Sequence, residues 1–432
     1  MKKIRVGVIG AGPAGLATAR ALRDEGHDVC VFERNDKVGG IWDIDAFGTP
    51  MYNSAHFISS KGRWTSHFAG HPFADDTPEY PSHAQVHSYL KTFAETEGLI
   101  SLTRFNCRVD RCTQIEGGGW RVEGTDFDED FDAIVVCSGT LWEAVMPKIE
   151  GKFSGSIRHS QTYKDPEEFR DKNVLIIGAG NSGVDIACDA ARVANSAYLS
   201  VRRGYWFLPK FVMGRPIDAF FADGAEMPEW ISPPDFSAFV AMVAGNPKQF
   251  GLPEPDHAPL ASHPIMNNEI LQHMGHGRIK ARGDVVKFEG KNVQFESGEI
   301  DQVDEIICAT GYRAGVDFLP DGLLDFQGGT RPDLKMCAFH PSAENIYFNG
   351  MIETNGGVFG LFDRFAKSLA SLINKKANGT LSSDNYTKLI LEADAKAKTT
   401  GKINSSRHFG YVDTANFLSA LDYLDSQLHL PN

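Results

Sequence analysis

Two stretches of one design decide the fold: Gly10-Ala11-Gly12-Pro13-Ala14-Gly15, and Gly178-Ala179-Gly180-Asn181-Ser182-Gly183. The first follows the apolar run IRVGVI, the second follows VLII, and each leads into residues of helical pattern. A glycine turn between a buried strand and a helix marks a dinucleotide-binding βαβ unit. Its first glycine permits the tight turn, its second lets a pyrophosphate approach the backbone, and its third lets helix and strand touch. Free N–H groups at the helix N-terminus then face the phosphates. The expected fold class is therefore α/β, with two Rossmann-like, doubly wound domains, the smaller inserted in the larger.

What separates the two turns is the sign of the residue at the end of the next strand. After the first, AGLATARALRDEG runs into DVCVFE, which ends at Glu33, 18 residues beyond Gly15. A carboxylate there accepts hydrogen bonds from ribose hydroxyls and repels a 2′-phosphate. After the second, SGVDIACDAARVA runs into AYLSV and then Arg202-Arg203. Guanidinium groups there would pair with a 2′-phosphate. FAD is expected on the first turn, at Gly10, Gly12, Pro13, Ala14, Gly15 and Glu33. NADPH is expected on the second, at Gly178, Gly180, Asn181, Ser182, Gly183, Arg202 and Arg203, although Arg203 reads equally well as a solvated cation.

The chain has 432 residues, 42% hydrophobic and 23% charged, enough for two or three domains with substantial cores. A net charge of −13 argues against a nucleic-acid partner, whose phosphates need basic faces. No run approaches the length of an apolar membrane span. The opening MKKIRVGVIG reads as a first strand rather than a signal peptide, so a cytoplasmic location is expected. The cysteines number seven and lack tight spacing, which fits buried, reduced thiols. No cysteine lies between Cys30 and Cys107, so the redox pair of a disulfide oxidoreductase is missing, and Cys107 and Cys112 are placed in a strand on opposite faces. His257, His263, His273 and His276 invite a metal, but Gly275 breaks the spacing and no carboxylate or cysteine cluster stands out beside them. No metal is expected.

FDAIVVCSGT and DEIICATGY are two buried strands of one pattern, each ending in a turn that holds glycine and threonine. GGWRVEG suggests an antiparallel meander, GDVVKFEGKNVQFESGE a hairpin and NIYFNGM a final strand. GVFGLFDRFAKSLASLINKKANG reads as a helix stopped by Asn378-Gly379. The expected division is a discontinuous FAD domain of 1–164 and 299–432, around an NADP domain of 165–298 with a loop-rich insertion at about 204–277.

Between the two turns lies Phe153-Ser154-Gly155-Ser156-Ile157-Arg158-His159-Ser160-Gln161-Thr162-Tyr163-Lys164. By its chemistry alone, His159 is a satisfied linker histidine. The stretch resembles the FxGxxxHxxx(Y/F) fingerprint of the class B flavoprotein monooxygenases, the flavin-containing monooxygenases. Gly39-Gly40-Ile41-Trp42, YPSHAQVHSYL at 80–90, GxGNSG at 178–183 and Ala309-Thr310-Gly311-Tyr312 match that family in order, over roughly residues 4–370. The resemblance implies an FAD and NADPH enzyme that reduces its flavin, adds O2 at C4a to give a (hydro)peroxyflavin, and keeps NADP⁺ bound as a shield. It implies further flavin contacts at Gly40, Ile41, Trp42, Val109 and Asp363, and NADP contacts at Asp185, Thr310 and Gly311. Its partners would be a small-molecule substrate and O2; members of the family often form homodimers, and the sequence leaves the oligomeric state open. Where the family carries asparagine in an I-S-N-T-like segment, this chain has His56-Phe57-Ile58-Ser59-Ser60-Lys61. Ser59 and Ser60 become the candidate catalytic residues near flavin C4a, with the Lys61 charge beside them. The expected reaction is N- or S-oxygenation of small amines, sulfides or indole. Baeyer–Villiger oxygenation of ketones and uncoupled NADPH oxidation are the alternatives; the fingerprint ends in Tyr163-Lys164 rather than the Trp-Pro or Trp-Asp of dedicated Baeyer–Villiger enzymes.

Overall fold

The structure, a computed structural model, describes residues 2–221, 236–259, 261–326, 329, 332–354, 356–398 and 411–429. They divide into two compact units, one of Met1–Thr49, Lys61–Glu143 and Arg313–Asn432, the other of Pro50–Ser60 and Ala144–Tyr312. In chain order the described α-helices are α1 (Pro13–Asp24), α2 (His83–Thr96), α3 (Asn181–Val193), α4 (Phe236–Ala244), α5 (Glu269–Gly275), α6 (Phe359–Ala377), α7 (Ser383–Ala397) and α8 (Thr414–Leu428).

The apolar runs of the first unit are too continuous for a half-exposed sheet and are buried on both faces, as parallel strands between helices require. Their order is Ile346–Phe348, Ala133–Val136, Arg5–Ile9, Asp28–Phe32 and Thr103–Arg104, every pairing parallel. Pro13 stands at the start of α1, where its missing N–H is harmless and its fixed φ suits the helix. A meander of Arg111–Gln114, Trp120–Gly124 and Phe127–Phe131 lies in the same unit. Cys112 is on that meander; Cys107 precedes it and lies on no strand, so the two do not share one as expected. Helix α6 ends as expected, with Asn378 at its C-cap and Gly379 left-handed at φ 71°.

The second unit repeats the plan. Its parallel sheet runs Ser156–His159, Glu305–Cys308, Asn173–Ile177, Ser196–Ser200, Ile279–Arg282. The two strands of matching pattern take matching places: Ala133–Val136 beside Arg5–Ile9, and Glu305–Cys308 beside Asn173–Ile177. The hairpin Val285–Gly290/Asn292–Phe295 carries Ile300–Gln302 on one edge and Glu150–Phe153 on the other.

This unit is wider than the expected 165–298. Ser156–His159 and Glu305–Cys308 lie outside that span, yet they complete its sheet, which moves the boundaries to 143/144 and 312/313. Residues 50–60 also belong to it, because the Asn53 N–H donates to Lys164 O (2.9 Å) and the Tyr52 hydroxyl to Asp185 (2.9 Å). No described helix is long and apolar enough to cross a membrane, and all seven cysteines are free thiols.

Candidate functional site

In the first unit the glycine turn closes on itself and on the end of the neighbouring strand. Gly10 holds φ 106°, and a Cβ there would meet Cys137 O at 2.7 Å. A Cβ on Gly15 would lie 1.9 Å from Gly10 O, an impossible contact. Both glycines are demanded by the chain itself. Gly12 differs: its φ of −76° and ψ of −175° suit any residue, and the nearest atom to a built Cβ is Gly40 Cα at 3.6 Å, ordinary contact. Among the described residues nothing demands glycine at 12, so its backbone is open to the close approach of a ligand.

Several expected contacts gather around that turn. Gly10 N–H donates to Phe32 O (2.8 Å), which brings the next residue, Glu33, alongside. Glu33 Oε2 accepts from Ala11 N (2.8 Å), inside the turn. Gly12 is the N-cap of α1 and no side chain caps it, which leaves the helix N-terminus free to meet a phosphate. Gly40 folds over Gly12, and Gly39 N–H donates to Ala11 O (3.0 Å). Ile41 and Trp42 continue in a short 3₁₀ turn, the indole buried edge-on to Phe359 at 6.3 Å. Val109 packs in the core cluster of Ile9 and Phe32. One residue not foreseen is Asn35, whose backbone N–H (2.9 Å) and side-chain amide (3.0 Å) both donate to Glu33 Oε1 and fix its orientation. Its place two residues after Glu33 is the signal that could have found it.

The second turn has the same geometry on its own sheet. Gly178 holds φ 105°, its Cβ would meet Ala309 O at 2.5 Å, and a Cβ on Gly183 would lie 1.9 Å from Gly178 O. Gly180 caps α3 without a side-chain bond. Gly178 N–H donates to Ser200 O (3.0 Å), so Arg202 emerges two residues past the strand end beside the turn. Arg202 is exposed and has no ion pair among the described residues, whereas Arg203 lies over the Tyr205 ring at 5.1 Å. Asn181 is used internally, accepting from Met266 N (2.9 Å). Asp185 accepts from Tyr52 (2.9 Å) and Asn267 (2.6 Å), and Ser182 also hydrogen-bonds Tyr52. Burial raises the Asp185 carboxyl against these hydrogen bonds.

The fingerprint proves to be a brace. His159 Nδ1 accepts from Gln161 N (3.2 Å) and its Nε2 donates to Gly311 O (3.0 Å), which defines a neutral imidazole. Burial lowers its pKa, outweighing the Gly311 bond. The same Gly311 carbonyl accepts from Val145 N (3.0 Å), and Thr310 Oγ1 donates to Val145 O. Gly311 is thus held from 152 residues away and Thr310 from 165. Tyr163 is fully buried, stacked on Phe169 at 4.9 Å, and donates to Asp189 (2.9 Å). Ser54 and Arg192 bind the same carboxylate.

The remaining expected residues have partners of their own. Ser59 donates its hydroxyl proton to Asp218 (2.9 Å), and Ser60 N–H donates to the same oxygen (2.7 Å). The Ser60 hydroxyl makes no hydrogen bond among the described residues. Lys61 Nζ donates to backbone carbonyls of Asp75 (2.6 Å) and Thr77, so its charge is engaged there. Asp363 is committed on both oxygens, Oδ1 to buried Arg20 and Oδ2 to Ala69 N (3.2 Å); it braces α6 against α1. Contrary to the expectation that no carboxylate or cysteine cluster accompanies His273, Cys188 and Glu269 lie beside it.

Two nucleotide-type turns, one with a carboxylate and one with a guanidinium after the adjoining strand, define a dinucleotide-dependent oxidoreductase. A family model of flavin-binding monooxygenase-like proteins matches residues 2–428. Flavin-containing monooxygenase 5 of Homo sapiens is 33% identical over 463 residues, covering 98% of this chain and 83% of that protein. S-allyl-L-cysteine S-oxygenase from Allium sativum has the same fold, with TM-score 0.68 and 23% identity over 100% of this chain and 89% of that one. The open crystal structure of cyclohexanone monooxygenase gives TM-score 0.72 and 16% identity over 99% of this chain and 97% of that one. The chain belongs to the flavin-binding monooxygenase-like family, enzymes that use FAD and NADPH.

Proposed function

We propose that the first unit binds FAD and the second NADPH, and that the enzyme oxygenates a soft nucleophile: the nitrogen of a small amine, the sulfur of a sulfide, or indole. The observation that carries this is the contrast between the turns, with Glu33 bonded inside the first (2.8 Å) and Arg202 unpaired among the described residues beyond the second. Bound FAD, reduced by NADPH, supplies the chemistry that activates O2. One oxygen atom goes to the substrate and the other leaves as water, with NADPH and a proton consumed.

The chain's own work is to bind and orient. The N–H groups opening α1 and α3 take pyrophosphate, Glu33 takes ribose hydroxyls and Arg202 takes the 2′-phosphate. His159 holds Gly311 in place for the second nucleotide. Ser60 is the better placed of the two serines to donate a hydrogen bond, since the single Ser59 proton already goes to Asp218. The fingerprint ending in Tyr163-Lys164 supports heteroatom oxygenation over ketone oxygenation.

Product analysis after NADPH turnover with trimethylamine, thioethers, indole and cyclic ketones tests the reading. N-oxide or sulfoxide formation is expected, and ester or lactone formation would overturn the substrate class. Hydrogen peroxide in equal yield to NADPH consumed, with no oxygenated product, would replace oxygenation by oxidase activity.

A further inference from the structure

We propose that Cys188, Glu269 and His273 form a binding site for a thiophilic divalent cation, Zn²⁺ being the type, on the second unit and apart from its nucleotide contacts. Cys188 lies on α3, and Glu269 and His273 lie one turn apart on α5, which packs against α3. One ligand atom from each, the thiol sulfur, a carboxylate oxygen and an imidazole nitrogen, fall within 4.8 Å of one another. Sulfur, nitrogen and oxygen donors in that number suit zinc, which takes a water as its fourth ligand. The i,i+4 spacing sets Glu269 and His273 on one face of their helix.

Further observations favour a cation over plain packing. His273 is buried, and its Nε2 lies 3.1 Å from Glu269 Oε1, which turns that ring nitrogen toward the carboxylate of the cluster. Arg192 bonds both Glu269 Oε1 (2.5 Å) and Asp189 Oδ1 (2.7 Å), so a cation on Glu269 has to displace one of its two partners. A metal can take the Glu269 carboxylate while Arg192 keeps Asp189, so no charge is stranded. Asn267 supports both sides, its amide nitrogen 3.9 Å from Cys188 Sγ and its Oδ1 accepting from Glu269 N (2.9 Å), as an outer layer of partners commonly does around a metal. The Glu269 side chain is 44% exposed, which gives an ion a way in, while Cys188 is closed off from solvent.

Binding removes the Cys188 proton to solvent as the sulfur–metal bond forms, and no electron changes hands. Occupancy would tie α5 to the helix that opens at the second glycine turn.

The test is a Zn²⁺ titration of the flavin-loaded full chain against a chromophoric chelator, with pH-stat measurement of proton release. A single zinc per chain is expected, with release of about one proton. Cys188→Ala and His273→Gln should each weaken binding by roughly tenfold or more. His276→Gln, a change just outside the cluster, should leave it unaltered. Cobalt in place of zinc should give a sulfur-to-metal charge-transfer band that Cys188→Ala abolishes. Flavin content and melting temperature confirm that each variant is folded; Cys188→Ser repeats the measurement should Cys188→Ala melt early. No bound zinc in the parent protein, or equal affinity in the parent and both ligand variants, overturns the site.

Discussion

Gly12→Ala separates ligand binding from folding, because the structure gives this glycine no internal reason to exist. A methyl there meets Gly40 Cα at 3.6 Å and Gly40 N at 4.0 Å, and the backbone angles suit alanine. Replacing a glycine N-cap by alanine weakens α1 by about 0.5–1 kcal/mol, a shift of a few degrees in Tm. The FAD pyrophosphate, by contrast, must approach this backbone closely enough to accept its N–H groups, and a methyl occupies that space. Losing one or two such charge-assisted bonds weakens binding by about 2–4 kcal/mol, roughly 30- to 700-fold in Kd. Gly15→Ala is the control of opposite kind, since its Cβ would stand 1.9 Å from Gly10 O and the apoprotein itself should fail to fold. Flavin absorbance relative to protein after gel filtration, reconstitution titrations and thermal melts of the apoproteins report the two effects separately. A Gly12→Ala protein that holds FAD as tightly as the parent would refute the assignment of the first turn.

Further outcomes follow from other contacts. Arg202→Ala should raise KM for NADPH by roughly 5- to 150-fold, from an ion pair of about 1–3 kcal/mol, and leave KM for NADH nearly unchanged; equal effects on both would remove Arg202 from the 2′-phosphate. Asp363→Ala breaks a buried ion pair with Arg20 and should destabilise the apoprotein by about 3–5 kcal/mol, whereas a direct flavin contact would instead show as weaker FAD binding with an unchanged apoprotein melt. Burial lowers the folded-state pKa of His159 from 6.5, so the unfolded chain takes up the proton first and stability from this group falls as pH drops below 6.5. His159→Gln, which can donate to Gly311 and accept from Gln161, should flatten that part of the Tm–pH curve, and an unaltered slope would contradict the neutral brace.

What was legible in the residues was local. A strand, a glycine turn, a helix and the next strand follow one another within thirty residues, so the turns, Glu33 and Arg202 could be placed by counting. The buried strands FDAIVVCSGT and DEIICATGY were legible because parallel strands covered on both faces are continuously apolar. What was not legible involves partners far along the chain. The partner of Asp363 is Arg20, 343 residues away, and that of Lys61 is the backbone of Asp75 and Thr77, neither of which local sequence shows. The boundary was set at 164 because nothing local shows that Ser156–His159 pairs with Glu305–Cys308. His273 was judged by its neighbours in sequence, but its company comes from α3 through helix packing.

The central claim is that one chain carries a flavin on its first turn and draws electrons from NADPH on its second. Anaerobic mixing of the purified yellow protein with NADPH, followed at the flavin absorbance maximum, tests it most directly. Full bleaching is expected, slower with NADH, and in Arg202→Ala the NADPH rate should fall to about the NADH rate. A protein that stays yellow under NADPH, or that cannot take up FAD at all, would contradict it.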